Sequence, residues 1–233
     1  MKKVITFSLW GKDNIYNVGA IKNAETFDKF YTGFECWFYI HKDTVPEQTI
    51  SALSKIPNIK IIMKTGNLNV CKPRMWRFEA IDDPDVSIMM SRDCDSRISS
   101  RETSAVNEWL KSNKLFHIMR DHPYHTVPIL AGMFGTKKIT NIPSWKILMD
   151  KATQHNTYQY DQDFLRNFIY PVIKDNSCIH ASFHRLEKHA KYFPNRYNKR
   201  LNFVGEYVLA NNTSPKEHKI ILRNELLKRL NRR

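Results

Sequence analysis

The chain has 233 residues, 42% hydrophobic and 12% aromatic, with a formal net charge of +14. That length and apolar content suit one domain, or one with a small appendage, and exclude disorder over most of the chain. No apolar run reaches the roughly 20 residues of a membrane span. The charge points to anionic partners: nucleic acid, an anionic membrane surface or a phosphate-bearing small molecule.

The first ten residues look superficially like a signal peptide. Their apolar stretch is short, no small-residue cleavage site follows, and Lys12 and Asp13 come at once. Residues 3–9 therefore read as a first core strand, and a cytoplasmic location is expected. Residues 10–14 are a polar turn. Ala20, Ile21, Ala24, Phe27 and Phe30 fall at helical spacing and predict a helix over 18–31. Residues 35–41, rich in aromatics, predict a second strand, 46–56 a short helix and 59–63 a third strand. A helix over 73–81 can open on Pro73, because proline is tolerated in a first turn. The apolar run 86–90 is a buried fourth strand. Strand and helix alternating over the first hundred residues give an α/β fold with a mostly parallel sheet wrapped by helices.

The rest is less regular. Helices are expected over 102–111, 145–153 and 161–170, and strands over 116–120 and 178–181, the last a strand or a loop. Around Gly132 and Gly135 the backbone can approach a ligand closely. Ser214 and Glu217 have the spacing of a capping box opening a basic helix with Ile220, Ile221, Leu227 and Leu230. That helix either packs on the body or docks on an anionic membrane or partner. Cys36, Cys71, Cys94 and Cys178 are far apart and lack C-x-x-C spacing, which argues against zinc and disulfides and for reduced thiols.

The chemistry concentrates at Arg92-Asp93-Cys94-Asp95, just past the fourth strand. Side chains alternate along an extended chain, so Asp93 and Asp95 can point the same way. Paired carboxylates repel unless a cation lies between them. The C-terminal end of a buried strand is where an α/β sheet usually holds its ligand. The natural occupant is Mg²⁺ or Mn²⁺ with a diphosphate as its other partner; the competing reading is two solvated acids. Lys72, Arg74, Arg77, Arg92 and Arg97 are nearby candidates to hold phosphate. Trp10 and Tyr16 offer a slot for a base, although Trp10 suits core packing equally. Asp161 and Asp163 open a helix, where acids serve as caps and dipole partners. Either could instead accept the proton of an attacking hydroxyl or stabilise a developing sugar cation. His180 is structural or completes a metal site with two carboxylates. Pro123 argues against a helical metal face from His117, His122 and His125; His122 and His125 could line an acceptor pocket with Tyr124.

Taken in order, Leu9-Trp10, the arginine-bearing helix, the strand ending in D-x-D, Ala131-Gly132-Met133-Phe134-Gly135, Tyr160-Asp161-Gln162-Asp163-Phe164-Leu165 and a late histidine resemble the nucleotide-sugar glycosyltransferases of the GT-A fold. The resemblance covers roughly residues 3–185, and the size is similar to compact glycosyltransferases of large DNA viruses, for which a host cytoplasm would be the location. It implies a Rossmann-type central sheet and a metal held by Asp95, with Asp93 on the metal or the ribose and His180 as the late metal-binding histidine. It places Gly132 beside donor sugar and acceptor, and the acceptor-side acid at Asp161 or Asp163. The expected reaction is metal-dependent transfer of a sugar from a UDP-linked donor to a hydroxyl of a glycan or protein. Residues 186–233 match nothing in that pattern; the expected organisation is a catalytic domain over 1–212 and a basic helical tail over 213–233. The rivals are a metal-dependent nuclease or phosphotransferase and a non-catalytic binding module. Nucleic acid is not the expected partner, because positive charge gathers in the tail instead of alternating with aromatics along a groove.

Overall fold

The computed structural model describes residues 1–68, 72–138, 144–152 and 159–231; Cys71, the expected helix end at Thr153 and the last two arginines of the tail lie outside them. The first half alternates as the pattern predicts: β1 (Lys2–Leu9), α1 (Asn14–Phe30), β2 (Glu35–His41), α2 (Glu47–Ser54), β3 (Ile59–Lys64), a 3-10 helix (Pro73–Asp82) and β4 (Val86–Ser91). There follow α3 (Ser100–Lys111), β5 (Phe116–Arg120), β6 (Phe134–Lys137), α4 (Trp145–Ala152), α5 (Tyr160–Phe164), a π-helical turn (Leu165–Ile169), α6 (Tyr170–Ile173), β7 (Ser177–Ala181) and α7 (Lys216–Leu230).

The seven strands form one sheet in the order β3-β2-β1-β4-β6-β5-β7. β1 is parallel to β2 and β4, β2 to β3, and β5 to β7, whereas β6 runs antiparallel to both β4 and β5. Every strand except β6 therefore ends at the same edge of the sheet. Alternate residues feed two cores. Ile5, Phe7, Phe38 and Met90 pack under α1, α2 and α3. Val4, Trp37, Met89 and Phe134 pack under the 3-10 helix, α4 and α5. Burial on both faces explains why β1 and β2 read as near-continuous apolar runs.

Three local expectations are corrected. Residues 73–82 wind as a 3-10 helix, not an α-helix: Met75, Trp76, Arg77 and Phe78 are all buried, and a tighter turn accommodates four successive inward residues. The helix expected over 161–170 is interrupted by a π turn; Pro171 has no N–H to complete the i→i+4 ladder there. The capping box at Ser214 does not form. The N-cap of α7 is Pro215, without a side-chain cap, and Glu217 instead accepts from the Tyr124 hydroxyl at 3.2 Å. α7 lies on the body of the protein: Leu222 is fully buried with Phe183 and Phe203, and Arg229 donates to the Ser182 carbonyl at 2.6 Å. Ile220, Leu227 and Leu230 remain exposed. No helix among the described residues is long and apolar enough to cross a membrane.

Candidate active site

A cavity of about 600 Å³ opens at the C-terminal ends of β1 and β4. Trp10, Tyr16, Arg74, Arg77, Asp93, Asp95, Gly132 and Asp161 line it together with His125, Gln162 and Gly205. Segments far apart in sequence thus meet at one place. Asp163, Lys72 and His180 are not among its lining residues.

The loop after β4 is held from several sides. The Arg92 N–H donates to the Thr6 carbonyl at 3.0 Å, extending the sheet pairing by one residue. The Arg92 side chain turns into the protein, donating to Glu102 at 2.7 Å and to the Phe134 carbonyl at 3.1 Å, so it is a buried brace and not a phosphate ligand. Arg97 likewise donates to the Cys94 carbonyl and to Asn212, away from the cavity. From α1, buried Asn23 donates to the Ser96 carbonyl at 2.8 Å and accepts from the Ile98 N–H at 3.2 Å. One turn earlier Gly19 lets the helix lie against the loop: a Cβ there would stand 1.9 Å from the Cys94 carbonyl oxygen.

Arg77 links the acids. Its guanidinium donates to the Arg92 carbonyl at 3.1 Å, to Asp93 in a short contact, and to Asp161 at 3.0 Å. Burial works against its charge, but Asp93 and Asp161 outweigh that and hold its pKa above the ordinary value. Its own N–H donates to the Ser8 hydroxyl at 3.0 Å, fixing the 3-10 helix on β1. Asp93 stays partly exposed, its side chain 44% accessible. Asp95 is pushed up to about 7, first by burial and then by the Asp93 charge. Burial also raises Asp161, with Arg77 opposing it. Gly132 lies directly against Asp93; a Cβ on it would stand 1.8 Å from Asp93 Oδ2, so only glycine leaves that carboxylate room.

The two acids of the D-Q-D segment part company. Asp161 is buried on Arg77, whereas Asp163 lies outward and pairs with Arg166 at 2.8 Å one turn along the helix. Gln162, between them, accepts from the Ala131 N–H at 2.6 Å and so ties the glycine loop to α5. Arg74 lies with its guanidinium 6.0 Å from the Trp10 ring centre, and its N–H donates to the Tyr160 hydroxyl. His125 is lowered to about 3, chiefly by burial and then by His122, and accepts from the Asp121 N–H at 2.9 Å. It is a neutral imidazole on the cavity wall. His125, which the sequence offers with His122 and Tyr124 for an acceptor pocket, does line the cavity, whereas those two do not; Gln162 gives no such signal, and Gly19 and Asn23 carry none beyond their place in a predicted helix. His180 is in the middle of β7 beneath α3, bonded to His117 at 2.9 Å and Glu108 at 3.1 Å.

No protein-family model matches the chain, and no curated protein matches it by sequence. Solved structures do. A glycosyltransferase involved in glycosylation of the major capsid of PBCV-1 superposes with a TM-score of 0.52 at 17% identity, over 78% of this chain and 82% of that one. The galactosyltransferase LgtC, crystallised with donor and acceptor sugar analogues, gives a TM-score of 0.52 at 13% identity, over 94% of this chain and all of its own. An active-site mutant of LgtC gives 0.50 at 13% identity, over 93% of this chain and 99% of that one. The sheet and its flanking helices are those of the GT-A fold.

Proposed function

We propose that this protein is a metal-dependent glycosyltransferase that moves a sugar from a nucleoside diphosphate donor, UDP-linked in our reading, to a hydroxyl of a glycan or protein. The observation that carries the proposal is the convergence of Asp93, Asp95 and Asp161 with Arg74 and Trp10 on one cavity at the strand ends of a GT-A sheet. The donor set fits a hard divalent ion, Mn²⁺ or Mg²⁺: two carboxylates, one accessible, the other kept from ionising readily by burial and then by its neighbour's charge, a conflict that a cation relieves. Asp93 and Asp95 would hold the ion, with the neutral His125 on the same wall. When bound, such an ion neutralises charge building on the departing diphosphate.

The protein's own groups divide the remaining work. The Trp10 face suits a nucleobase, and Arg74 beside it suits phosphate oxygens. Arg77, engaged with two carboxylates, positions Asp93 and Asp161 rather than reaching for phosphate. Asp161 accepts the acceptor's proton if the reaction inverts the anomeric centre, and orients or stabilises the sugar if it retains configuration. Asp163 faces away and takes no part in this scheme.

Calorimetry with UDP and Mn²⁺, set beside single-stranded DNA, tests the reading. Metal-dependent UDP binding that disappears in Asp95→Asn is expected. A panel of nucleotide sugars should then show metal-dependent release of free nucleotide; binding without any release would favour a non-catalytic module. Tight DNA binding with a steep salt slope and no response to UDP would overturn the assignment.

A further inference from the structure

Away from the cavity, on the sheet face covered by α3, a second group of ligating side chains comes together. His117 on β5 is the register partner of Cys178 on β7, and His180 lies two residues further along the same face. One donor atom from each of the three lies within 4.8 Å of the others, and all three residues are buried. We propose that His117, Cys178 and His180 form a binding site for a transition metal ion of borderline softness, Zn²⁺, independent of the hard-cation site at Asp93 and Asp95. Sulfur and imidazole select such ions over Mg²⁺ and Mn²⁺.

The surroundings have the form such a site needs. Glu108 of α3 accepts from His180 Nε2 at 3.1 Å. A carboxylate only accepts, so Nε2 carries the hydrogen, leaving Nδ1 as the lone pair that meets His117 Nε2 at 2.9 Å. A carboxylate behind a ligating histidine is the usual second partner of a zinc site. Tetrahedral zinc sets two imidazole nitrogens about 3.3 Å apart, so the pair opens by only a few tenths of an ångström. Burial raises the Cys178 thiol, and the positive charge of Lys191 works against that, lowering the cost of forming the thiolate; Lys191 also pairs with Glu108 over the site. That pair is partly exposed and marks the way in from solvent.

The protons balance. His117 Nδ1 is buried without a hydrogen-bond partner among the described residues. On metal binding the hydrogen on Nε2 moves to Nδ1, the freed lone pair takes the ion, and the Cys178 thiol releases its proton to solvent, one proton per ion bound. The bound ion would pin β5 to β7 at the edge of the sheet.

Cobalt(II), added to the full chain freed of metal, is the probe. Expected are one equivalent bound, a sulfur-to-cobalt charge-transfer band, the intense visible bands of a tetrahedral site, and displacement by Zn²⁺. The charge-transfer band should vanish in Cys178→Ser and persist in Asp95→Asn. Glu108→Ala should weaken binding about 10- to 100-fold. Zn²⁺ at about 100 times its Kd should raise the wild-type melting temperature by roughly 5–10 °C. Wild-type protein with no sulfur-to-cobalt band, or with cobalt uptake abolished by Asp95→Asn, overturns the proposal whatever the variants' folding. Neither result touches the UDP and Mn²⁺ test of the cavity.

Discussion

Replacing Gly19 with alanine tests whether α1, and not the sheet alone, sets the position of the paired aspartates. The new Cβ would lie 1.9 Å from the Cys94 carbonyl oxygen and 2.9 Å from its carbon, where ordinary contact begins near 3.4 Å. Backbone must therefore give by about 1.5 Å, and no rotamer can absorb it. The loop is tied by Arg92 to Thr6 and by the Asp95 carbonyl to the Val208 N–H at 2.7 Å, so the strain falls on the segment between. Overpacking costs about 1–3 kcal/mol, against which alanine's helix preference over glycine returns about 1 kcal/mol. The net, about 0–2 kcal/mol, lowers the melting temperature by no more than about 8 °C. Geometry suffers more. Catalytic groups tolerate about 0.5 Å of displacement, and about 1 Å can cost 10²-fold. Gly19→Ala should thus remain folded by circular dichroism while metal-dependent nucleotide release falls about 100-fold. Release and melting temperature both at wild-type level would refute the argument that the helix positions this loop.

Four further outcomes follow from the same contacts. Gly132→Ala should drive Asp93 off Arg77 and weaken Mn²⁺-dependent UDP binding at least about tenfold by calorimetry, since its Cβ would stand 1.8 Å from Asp93 Oδ2. Asp161→Asn should lower sugar transfer by about 10²–10⁴-fold, whereas Asp163→Asn, on the solvent side, should leave transfer near wild type. Glu187 accepts from Arg120 and from the Tyr170 hydroxyl, and these partners, against burial, hold its pKa below the ordinary 4.5. Its stabilisation is complete above about pH 4.5 and lost as pH falls through the depressed folded value; the urea midpoints of wild type and Glu187→Gln should converge only on acidification, and a gap unchanged at the acid end would contradict this. Leu222→Ala, at the fully buried contact of α7, should cost about 2–5 kcal/mol in denaturant unfolding.

Much of the fold was legible because burial on both sides leaves an unbroken apolar signature. Strands β1, β2 and β4 were readable in this way, β3 and β5 from their composition, and 178–181 only as a strand or a loop; the acids after β4 marked the edge where the cavity opens. β6 left no such mark: Phe134-Gly135-Thr136-Lys137 is short, and its glycine exists to admit the Trp109 ring, which a Cβ would meet at 3.1 Å. Charge was the least readable feature. Arg92 and Arg97 look like phosphate ligands in one dimension, yet each is aimed at protein carbonyls or an internal acid. Asp161 and Asp163, two apart in a first turn, cannot be told apart until the Arg77 guanidinium arrives from 84 residues away. The nearness of Cys178 to His117 was hidden for the same reason: spacing along the chain says nothing about two residues that only strand pairing makes neighbours.

The reversed course of β6 has a consequence for how this protein could be reshaped. Because β5 leaves and β6 enters at one edge of the sheet, the single connection over 121–133 brings both His125 and Gly132 to the cavity. Its two ends are clamped by regular pairing and most of the span is held as well, Asp121 by Arg101 and the Ala131 N–H by Gln162, which leaves exposed Tyr124 and Thr126 as the positions most open to change. On the proposed reading, selectivity for the incoming hydroxyl would be retuned by side chains at this tip, with the aspartates after β4 left untouched.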